Sequence, residues 1–320
     1  MNVRAMPLPL ITDDEVRRIA DFPAAVSVMQ CALERLAAGT LAAPARVQVD
    51  LEVGKLVFTT GAATTPPACL GFRVYDQTQL HSAGRDELTA VFDNTDGALK
   101  GIVIGPLLGA VRTGAIGGVA VNSLSRSDAR VLGILGAGYQ ARTQLRGALA
   151  VRDFADVRVY SRSADGRRAF AKEAAEFTSA SVRACESARD VVEAADVLIC
   201  ATASREPVLE ADWLKPGVHI NTIGPKFHSG SELGLEVAQR SGLLVTDSLA
   251  QAAAFGEDFV LHGTPHADRL VCLSKIVTSE HPGGRSAEEI SLFYSLGLAG
   301  TEVLLADRLI EQVAGDPDES

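Results

Sequence analysis

The chain has 320 residues, of which 47% are hydrophobic, 22% charged and 5% aromatic, a composition typical of a soluble α/β protein with room for two domains. Its formal net charge of −10 excludes the overall basic surface expected of a protein that binds nucleic acid or an anionic membrane. The five cysteines are scattered without CxxC spacing, the histidines show no HExxH pattern, and no apolar run approaches membrane-spanning length. We therefore predict a cytoplasmic protein without disulfides, a metal site, a membrane span or a signal peptide.

The first elements predicted along the chain are helices. The letters "TDDE" at residues 12–15 have the spacing of a capping box, in which Thr12 and Glu15 satisfy free amides at the start of a helix. A second helix is predicted from Pro23 to Gly39. From Arg46 to about Gly105, short β-like runs such as "KLVFTT" and "GIVIGP" alternate with turn residues, which indicates an antiparallel or mixed β domain.

After Asp128 the pattern changes to short apolar runs that alternate with helical segments. Runs such as "RVLGILG", "VRVYSR", "DVLICAT" and "VHINTIG" predict parallel strands covered on both faces, and hence a doubly wound Rossmann sheet. The end of the chain, "LFYSLGLAGTEVLLADRLIEQV", is predicted to form one long helix that returns to the first domain. We expect a Rossmann domain at residues 121–295 and a smaller α+β domain, for substrate binding and dimerisation, at residues 1–120 with 296–320.

The stretch "VLGILGAGYQA" contains the pattern GxGxxA directly after a predicted strand and at the start of a helix. In a dinucleotide site Gly136 makes the tight turn, Gly138 lets the backbone approach a pyrophosphate, and Ala141 allows close packing of helix and strand. Gln140 lies in the same turn, at the helix N-terminus that would meet the pyrophosphate. A tight turn without a nucleotide is the alternative interpretation.

The end of the second predicted strand bears on the choice of cofactor. An acidic residue there would hold the adenosine ribose hydroxyls, but this chain has Ser161, Arg162 and Ser163, followed by Arg167 and Arg168. Hydroxyl groups and a guanidinium suit a 2′-phosphate, which favours NADP(H) over NAD(H). Arg162 could instead stack on the adenine.

Three stretches together resemble the ornithine cyclodeaminase/μ-crystallin family: "LLGAVRTGAIGGVAVNSLSRSDARVLGILGAGYQARTQL", "ASREPVLEADWLKPGVHINTIG" and "GGRSAEEISLFYSLGLA". The resemblance covers nearly the whole chain. It implies an NAD(P)-dependent enzyme that acts on the C–N bond of a small amino or imino acid. It also implies a homodimer, with a Rossmann domain and a β domain that forms the dimer interface and the substrate site.

The resemblance assigns roles to individual residues. Arg46 in "PAR" and Arg112 in "VRT" match the arginines expected to hold the substrate carboxylate, a task that suits a planar guanidinium. Thr113, Thr202, Ile223 and Gly224 match positions expected to line the cofactor.

Two positions depart from the family pattern. Arg73 stands where the family commonly has a lysine at the reacting centre, and Lys226 stands where cyclodeaminases have the acid that accepts a proton. An arginine does not give up its proton, and a lysine replaces the acid only if burial strongly depresses its pKa. We predict catalytic roles for Arg73 and Lys226, with Arg73 also binding the substrate together with Arg46 and Arg112. Lys226 as a solvated loop residue is the alternative, and His228 is treated as a peripheral or surface group.

The resulting hypothesis is an NAD(P)H-dependent imino-acid reductase or amino-acid dehydrogenase whose cationic site takes a small anionic substrate, one that could carry a second acidic group. Two alternatives stay open. One is a cyclodeaminase that recycles NAD within each turnover. The other is a protein that binds NADP(H) without catalysis.

Overall fold

A computed structural model describes residues 8–79, 86–279 and 286–315 of the chain. The chain divides into two compact units, Met1–Arg112 with Leu298–Ser320 and Thr113–Gly297. The division falls within a helix that runs from Leu107 to Leu124. A helix that continues across a domain boundary leaves no Gly- or Pro-rich linker for the sequence to reveal.

The first unit is built on a sheet of seven strands. Its strands are β1 (Leu10–Ile11), β2 (Leu41–Ala42), β3 (Val47–Leu51), β4 (Gly54–Ala63), β5 (Cys69–Asp76), β6 (Glu87–Asp93) and β7 (Leu99–Ile104). The strand order is β1-β7-β6-β5-β4-β2, and β3 pairs with β4. Only the β1–β7 pair is parallel among these described strands, so the predicted mixed β domain is confirmed.

Helices α1 (Asp13–Ile19), α2 (Phe22–Ala37) and α10 (Thr301–Ala314) complete the first unit. The backbone N–H of Thr12 donates to the Glu15 carboxylate at 2.7 Å, which confirms the capping box. Asp21 caps α2 by accepting from the amide of Ala24 at 3.0 Å. Helix α10 packs against β4 to β7 and against α2, and so covers one face of the sheet.

The prediction of one long helix at the end of the chain is wrong. The run "SLFY" is a strand, β17 (Ser291–Tyr294), whose four residues are all buried. A short apolar run of this kind cannot be assigned to strand or helix from its periodicity. Gly297 and Gly300 then adopt φ angles of 95° and 80°, a left-handed conformation that ends the extended segment before α10 begins.

The second unit contains the parallel sheet. Its strands are β8 (Val131–Leu135), β9 (Asp156–Tyr160), β10 (Ser181–Ala184), β11 (Val197–Cys200), β12 (His219–Thr222), β15 (Leu243–Thr246), β16 (Leu270–Cys272) and β17. They lie in the order β10-β9-β8-β11-β12-β17-β15-β16, and every pair is parallel. A separate hairpin joins β13 (Lys226–Phe227) to β14 (Gly230–Ser231).

Apolar clusters lie on both faces of the parallel sheet. Alternate residues of β8 and β11 belong to different clusters: Ile134 and Ile199 to one, Leu135 and Leu198 to the other. The helices are α3 (Leu107–Leu124), α4 (Tyr139–Leu149), α5 (Ala164–Ala175), α6 (Ala188–Val192), α7 (Leu235–Arg240), α8 (Leu249–Phe255) and α9 (Leu273–Val277). The doubly wound Rossmann architecture is therefore confirmed, with its topological switch between β8 and β11.

One described helix, α3, is long and apolar enough by composition to cross a membrane, which qualifies the prediction that no apolar run approaches that length. Of its 18 residues, 78% are buried inside the protein. This burial is typical of a core helix.

Candidate active site

The turn after β8 has the geometry that a dinucleotide requires. Gly136 has a φ angle of 111°, and a Cβ there would collide with the carbonyl of Ala201. Gly138 is the N-cap of α4, and no described atom lies within 4 Å of a Cβ placed on it. Ala141 is fully buried against the sheet, whereas Gln140 is half-buried in the first turn of the helix. The amides at the start of α4 are therefore open to a pyrophosphate, and this chain's residues fit the cofactor.

A buried glutamate, Glu232, organises the neighbouring strand ends. Its carboxylate accepts from the backbone N–H and hydroxyl of Thr202, at 2.9 and 2.8 Å, after β11. It also accepts from the Thr222 hydroxyl at 2.7 Å and from the amides of Ile223 and Gly224, at 3.1 and 2.6 Å, after β12. One carboxylate thus holds together the backbone around Thr202, Ile223 and Gly224, three residues predicted to line the cofactor.

The end of β9 presents one exposed cation. Ser163 caps α5 by accepting from the amide of Gly166 at 3.0 Å, and Ser161 donates to the carbonyl of Ser163 at 3.0 Å. Arg167 is buried, donates to the carbonyl of Ser161 and pairs with Glu186, so its role is structural. Arg162 is exposed and makes no ion pair with the residues that the structure describes.

Lys226 is not a solvated loop residue, because only 5% of its surface is exposed. Its ammonium donates to the carbonyls of Ile223 and Ser295, at 3.1 and 3.0 Å, which follow β12 and β17. Lys226 therefore ties together two carboxyl ends of the parallel sheet, the edge at which open α/β sheets bind ligands. His228 is exposed in the β-hairpin turn and contacts the carbonyl of His262 at 3.3 Å.

In the first unit, strand register aligns basic and polar side chains across the sheet. Arg73 in β5 pairs with Thr59 in β4 and with Thr89 in β6. Arg46 directly precedes β3, whose first residue, Val47, pairs with Phe58 of β4. Directly paired residues point to the same face of a sheet, and for Arg73 this is the face that α10 covers.

Two buried glutamates engage Arg73. Its Nε donates to Glu87 at 2.8 Å and its Nη2 also pairs with Glu87, while its Nη1 donates to Glu302 at 3.1 Å. Burial opposes the charge of the guanidinium, but Glu302 and Glu87 outweigh burial and raise the pKa of Arg73. Arg73 is thus held as a permanent cation, which excludes it as a proton donor.

Arg112, in α3, shares Glu302 with Arg73. Burial raises the pKa of the Glu302 carboxyl, but the charges of Arg112 and Arg73 outweigh burial, so the net shift is downward and the carboxylate is ionised. The Nε of Arg112 is buried and has no hydrogen-bond partner among the described residues. Buried N–H groups normally have a partner, so this N–H makes Arg112 a candidate for binding a ligand carboxylate.

The predicted site residues divide between the two units. Arg46, Arg73 and Arg112 lie in the first unit, and Lys226 and the cofactor residues from Thr113 to Gly224 lie in the second. The carbonyl of Thr113 accepts from the Gln144 side chain at 2.9 Å, which anchors the start of the second unit. Sequence reasoning missed the roles of Glu87, Glu232 and Glu302.

Neither a disulfide nor a metal cluster occurs in the part of the chain that the structure describes. The five cysteines are free thiols. His262 and His266 have HxxxH spacing, but they lie in turns, and no group of three or more described His, Cys, Asp or Glu residues comes together.

A doubly wound sheet with an open glycine turn at its switch point defines the class of dinucleotide-binding α/β proteins. Residues 10–316 match the model of the ornithine cyclodeaminase/mu-crystallin family. The chain therefore belongs to this family.

Three similar proteins show how far the likeness extends. The chain is 33% identical over 220 residues to the ketimine reductase mu-crystallin of Mus musculus, covering 69% of this chain and 67% of that protein. The structure of Δ1-pyrroline-2-carboxylate reductase from Thermococcus litoralis, in complex with NADH and L-proline, is 27% identical with a TM-score of 0.85, covering 96% and 98% of the two chains. An archaeal alanine dehydrogenase dimer with bound NAD is 25% identical with a TM-score of 0.83, covering 97% of each chain.

Proposed function

We propose that the protein is an NAD(P)H-dependent oxidoreductase that acts on the C–N bond of a small anionic imino or amino acid. The observation that carries this proposal is the open N-terminus of α4 at Gly138, which leaves room for a pyrophosphate. The bound nicotinamide would supply or accept the hydride. The relatives named above, a ketimine reductase, an imino-acid reductase and an alanine dehydrogenase, support this reaction class.

The protein's own residues bind and orient the substrate. Arg112 offers its buried Nε to the substrate carboxylate, and Arg46 is the second arginine of the carboxylate clamp. Arg73 adds fixed positive charge next to them. Lys226 positions the ends of β12 and β17 beside the nicotinamide.

NADPH is the preferred cofactor in this proposal, because Arg162 is exposed at the end of β9 and is available to a 2′-phosphate. Arg162→Ala should raise the KM for NADPH about tenfold, the loss expected for one charge-assisted contact, and leave the KM for NADH unchanged. Arg168→Ala, which removes an exposed arginine in α5, is the matched control. Equal effects on both cofactors would contradict the assignment.

The protein acts as a homodimer in this proposal, because one face of the first sheet is apolar and open. Val47, Val49 and Leu51 of β3 are 59%, 40% and 49% exposed. Their neighbours on this face, from β4, β5 and β6, are partly exposed and mostly apolar: Leu56, Phe58, Leu70, Phe72, Val74 and Phe92. Apolar faces of this extent indicate an interface, and a second copy matches the dimeric alanine dehydrogenase. The free cysteines support a reducing, cytoplasmic location.

The test of function is the oxidation of reduced cofactor. NADPH and NADH are offered separately with Δ1-pyrroline-2-carboxylate, Δ1-piperideine-2-carboxylate, or pyruvate or oxaloacetate with ammonium. Stoichiometric oxidation with any of them supports the proposal, and Arg112→Met should abolish turnover while cofactor still binds. Cofactor binding without any oxidation would overturn it, and release of ammonia from ornithine without net cofactor consumption would establish a cyclodeaminase.

A further inference from the structure

The side chain of Arg142, in the first turn of α4, folds back onto the glycine turn that precedes this helix. Its Nη1 donates to the carbonyl of Ala137 at 2.7 Å and to the carbonyl of Gly138 at 3.1 Å. Its Nε donates to Glu173 of α5 at 2.8 Å, and its guanidinium lies 5.5 Å from the ring centroid of Phe170, also in α5. The guanidinium is thus held between the turn and α5.

The two carbonyls bound by Arg142 determine where the neighbouring amides point. A trans peptide unit is planar, so its C=O and its N–H point in opposite directions. The carbonyl of Ala137 shares a peptide unit with the N–H of Gly138, and the carbonyl of Gly138 shares one with the N–H of Tyr139. Because Arg142 draws both carbonyls to one side, both N–H groups are directed to the other side.

The peptide between Ala137 and Gly138 depends most on this contact. Tyr139 is the first residue of α4, so this peptide lies before the helix, and the helical hydrogen bonds do not fix its direction. Gly138 is the N-cap and has no side chain that could restrain the turn. The hydrogen bond from Arg142 to the carbonyl of Ala137 supplies the restraint that the glycine lacks.

The charge of Arg142 is balanced on the spot by Glu173. The guanidinium also lies on the carbonyl side of the turn, away from the N–H groups that a phosphate would bind. Both features distinguish Arg142 from a cation that attracts the phosphate directly. Its effect on a ligand is therefore transmitted through the backbone of the turn.

We infer that Arg142 is a positioning residue of the dinucleotide site, which binds the carbonyls of Ala137 and Gly138 and thereby aims the amides of the turn at the pyrophosphate without contacting it. The inference rests on the proposed function, since it takes the glycine turn as the pyrophosphate site. Loss of Arg142 then weakens the binding of a phosphate at the turn and leaves the binding of the rest of the adenosine unchanged.

The experiment compares two nucleotides that differ by one phosphate. Adenosine 2′,5′-bisphosphate carries the 5′-phosphate that belongs to the pyrophosphate of NADPH, and adenosine 2′-monophosphate lacks it. The Kd of each is measured by calorimetry on the full-length protein. Arg142→Met should raise the Kd of the bisphosphate about tenfold, because the amides that bind the 5′-phosphate lose their orientation, and should change the Kd of the monophosphate by less than about twofold.

Two comparisons separate positioning from other effects. Arg146→Met removes the same charge from an exposed position of the same helix, where the guanidinium lies 4.0 Å from the ring centroid of Phe177, and should leave both Kd values unchanged. Arg142→Met should also raise the Kd values of NADPH and NADH by the same factor, because both cofactors contain the pyrophosphate. Arg162→Ala, in contrast, should affect NADPH alone.

Three results would overturn the inference. The first is an unchanged affinity for the bisphosphate in Arg142→Met, and the second is an equal loss for the monophosphate, which would show a general structural defect. The third is an equal loss in Arg146→Met, which would reduce the effect to net charge. If Arg142→Met does not fold, Arg142→Gln is measured in its place with the same expectation. Nucleotide binding does not require turnover, so the inference is decided separately from the proposed function, which fails only if no substrate oxidises the cofactor.

Discussion

The substitution Glu232→Gln tests whether the buried carboxylate of Glu232 stabilises the backbone of the predicted cofactor site. The buried carboxylate accepts five hydrogen bonds, three from backbone amides and two from threonine hydroxyls. The glutamine NH₂ group cannot accept, so at least one amide loses its partner. The least disruptive orientation places the glutamine NH₂ group toward Thr202. The Thr202 hydroxyl can rotate to accept a hydrogen bond from this group, but the backbone N–H of Thr202 is left unpaired. An unpaired buried amide costs about 1–3 kcal/mol, and the remaining bonds together lose about 1 kcal/mol when the acceptor becomes neutral, so the total loss of stability should be about 3 kcal/mol.

The assay for Glu232→Gln is urea denaturation at neutral pH, with binding of NADPH and NADH measured alongside. The midpoint should fall without a change in slope, and the Kd for both cofactors should rise, because Thr202, Ile223 and Gly224 lose a common anchor. Glu236→Gln, an exposed acid at the start of α7, is the control and should change stability by less than about 0.5 kcal/mol. A loss below about 1 kcal/mol with unchanged cofactor affinity would refute this account of Glu232.

Three further predictions concern other parts of the molecule. Lys226→Met should lower kcat/KM tenfold or more, because two partly buried carbonyls lose their donor at the ligand-binding edge of the sheet; unchanged steady-state kinetics would rule out that role. Val49→Asp should convert a dimer to a monomer in light scattering, since it places a charge in the apolar face, whereas a dimer that persists would place the interface elsewhere. The pKa of Glu302 is lowered on folding, so its contribution to stability is present above its unfolded pKa of about 4.3 and is lost as the pH falls through the folded value. Denaturant titrations below about pH 5 should therefore show a smaller acid loss in Glu302→Gln than in the wild type, and equal losses would contradict this.

Much of the fold follows from local sequence pattern. The Rossmann strands are short apolar runs followed by helical segments, and the turn at Gly136 carries its own steric requirement, so both are predictable without tertiary contacts. The failure at Ser291–Tyr294 has a physical cause. This strand is central and buried on both faces, so its residues show no alternation, and the helical sequence that follows extends the apparent helix backwards.

The ion network around Arg73 could not be predicted in the same way. Glu302 lies 190 residues from Arg112 along the chain, and only the packing of α10 on the first sheet brings them together. The sequence alone therefore shows the arginines predicted to bind the substrate, but not the glutamates that balance their charge in the folded protein. The role of Glu232 could not be predicted from the sequence either, because a glutamate in a loop usually lies in solvent, and nothing in the neighbouring sequence indicates that it is buried.

The two departures from the family pattern bear together on proton transfer. Arg73 is held as a cation by Glu87 and Glu302, and Lys226 directs its ammonium at two backbone carbonyls. Neither arrangement suits a group that must release and regain a proton in each turnover, since a general acid needs a pKa near the working pH and reach to the reacting nitrogen. A reduction in which the substrate nitrogen arrives already protonated, as an iminium, makes no such demand. Hydride transfer then completes the chemistry, and the protein contributes orientation and fixed charge.

Cyclodeamination, by contrast, requires an acceptor for the proton of the attacking amine, and the lysine at position 226 removes the acid that performs this step in the cyclodeaminase pattern. The same substitutions that weigh against cyclodeamination are therefore compatible with imine reduction.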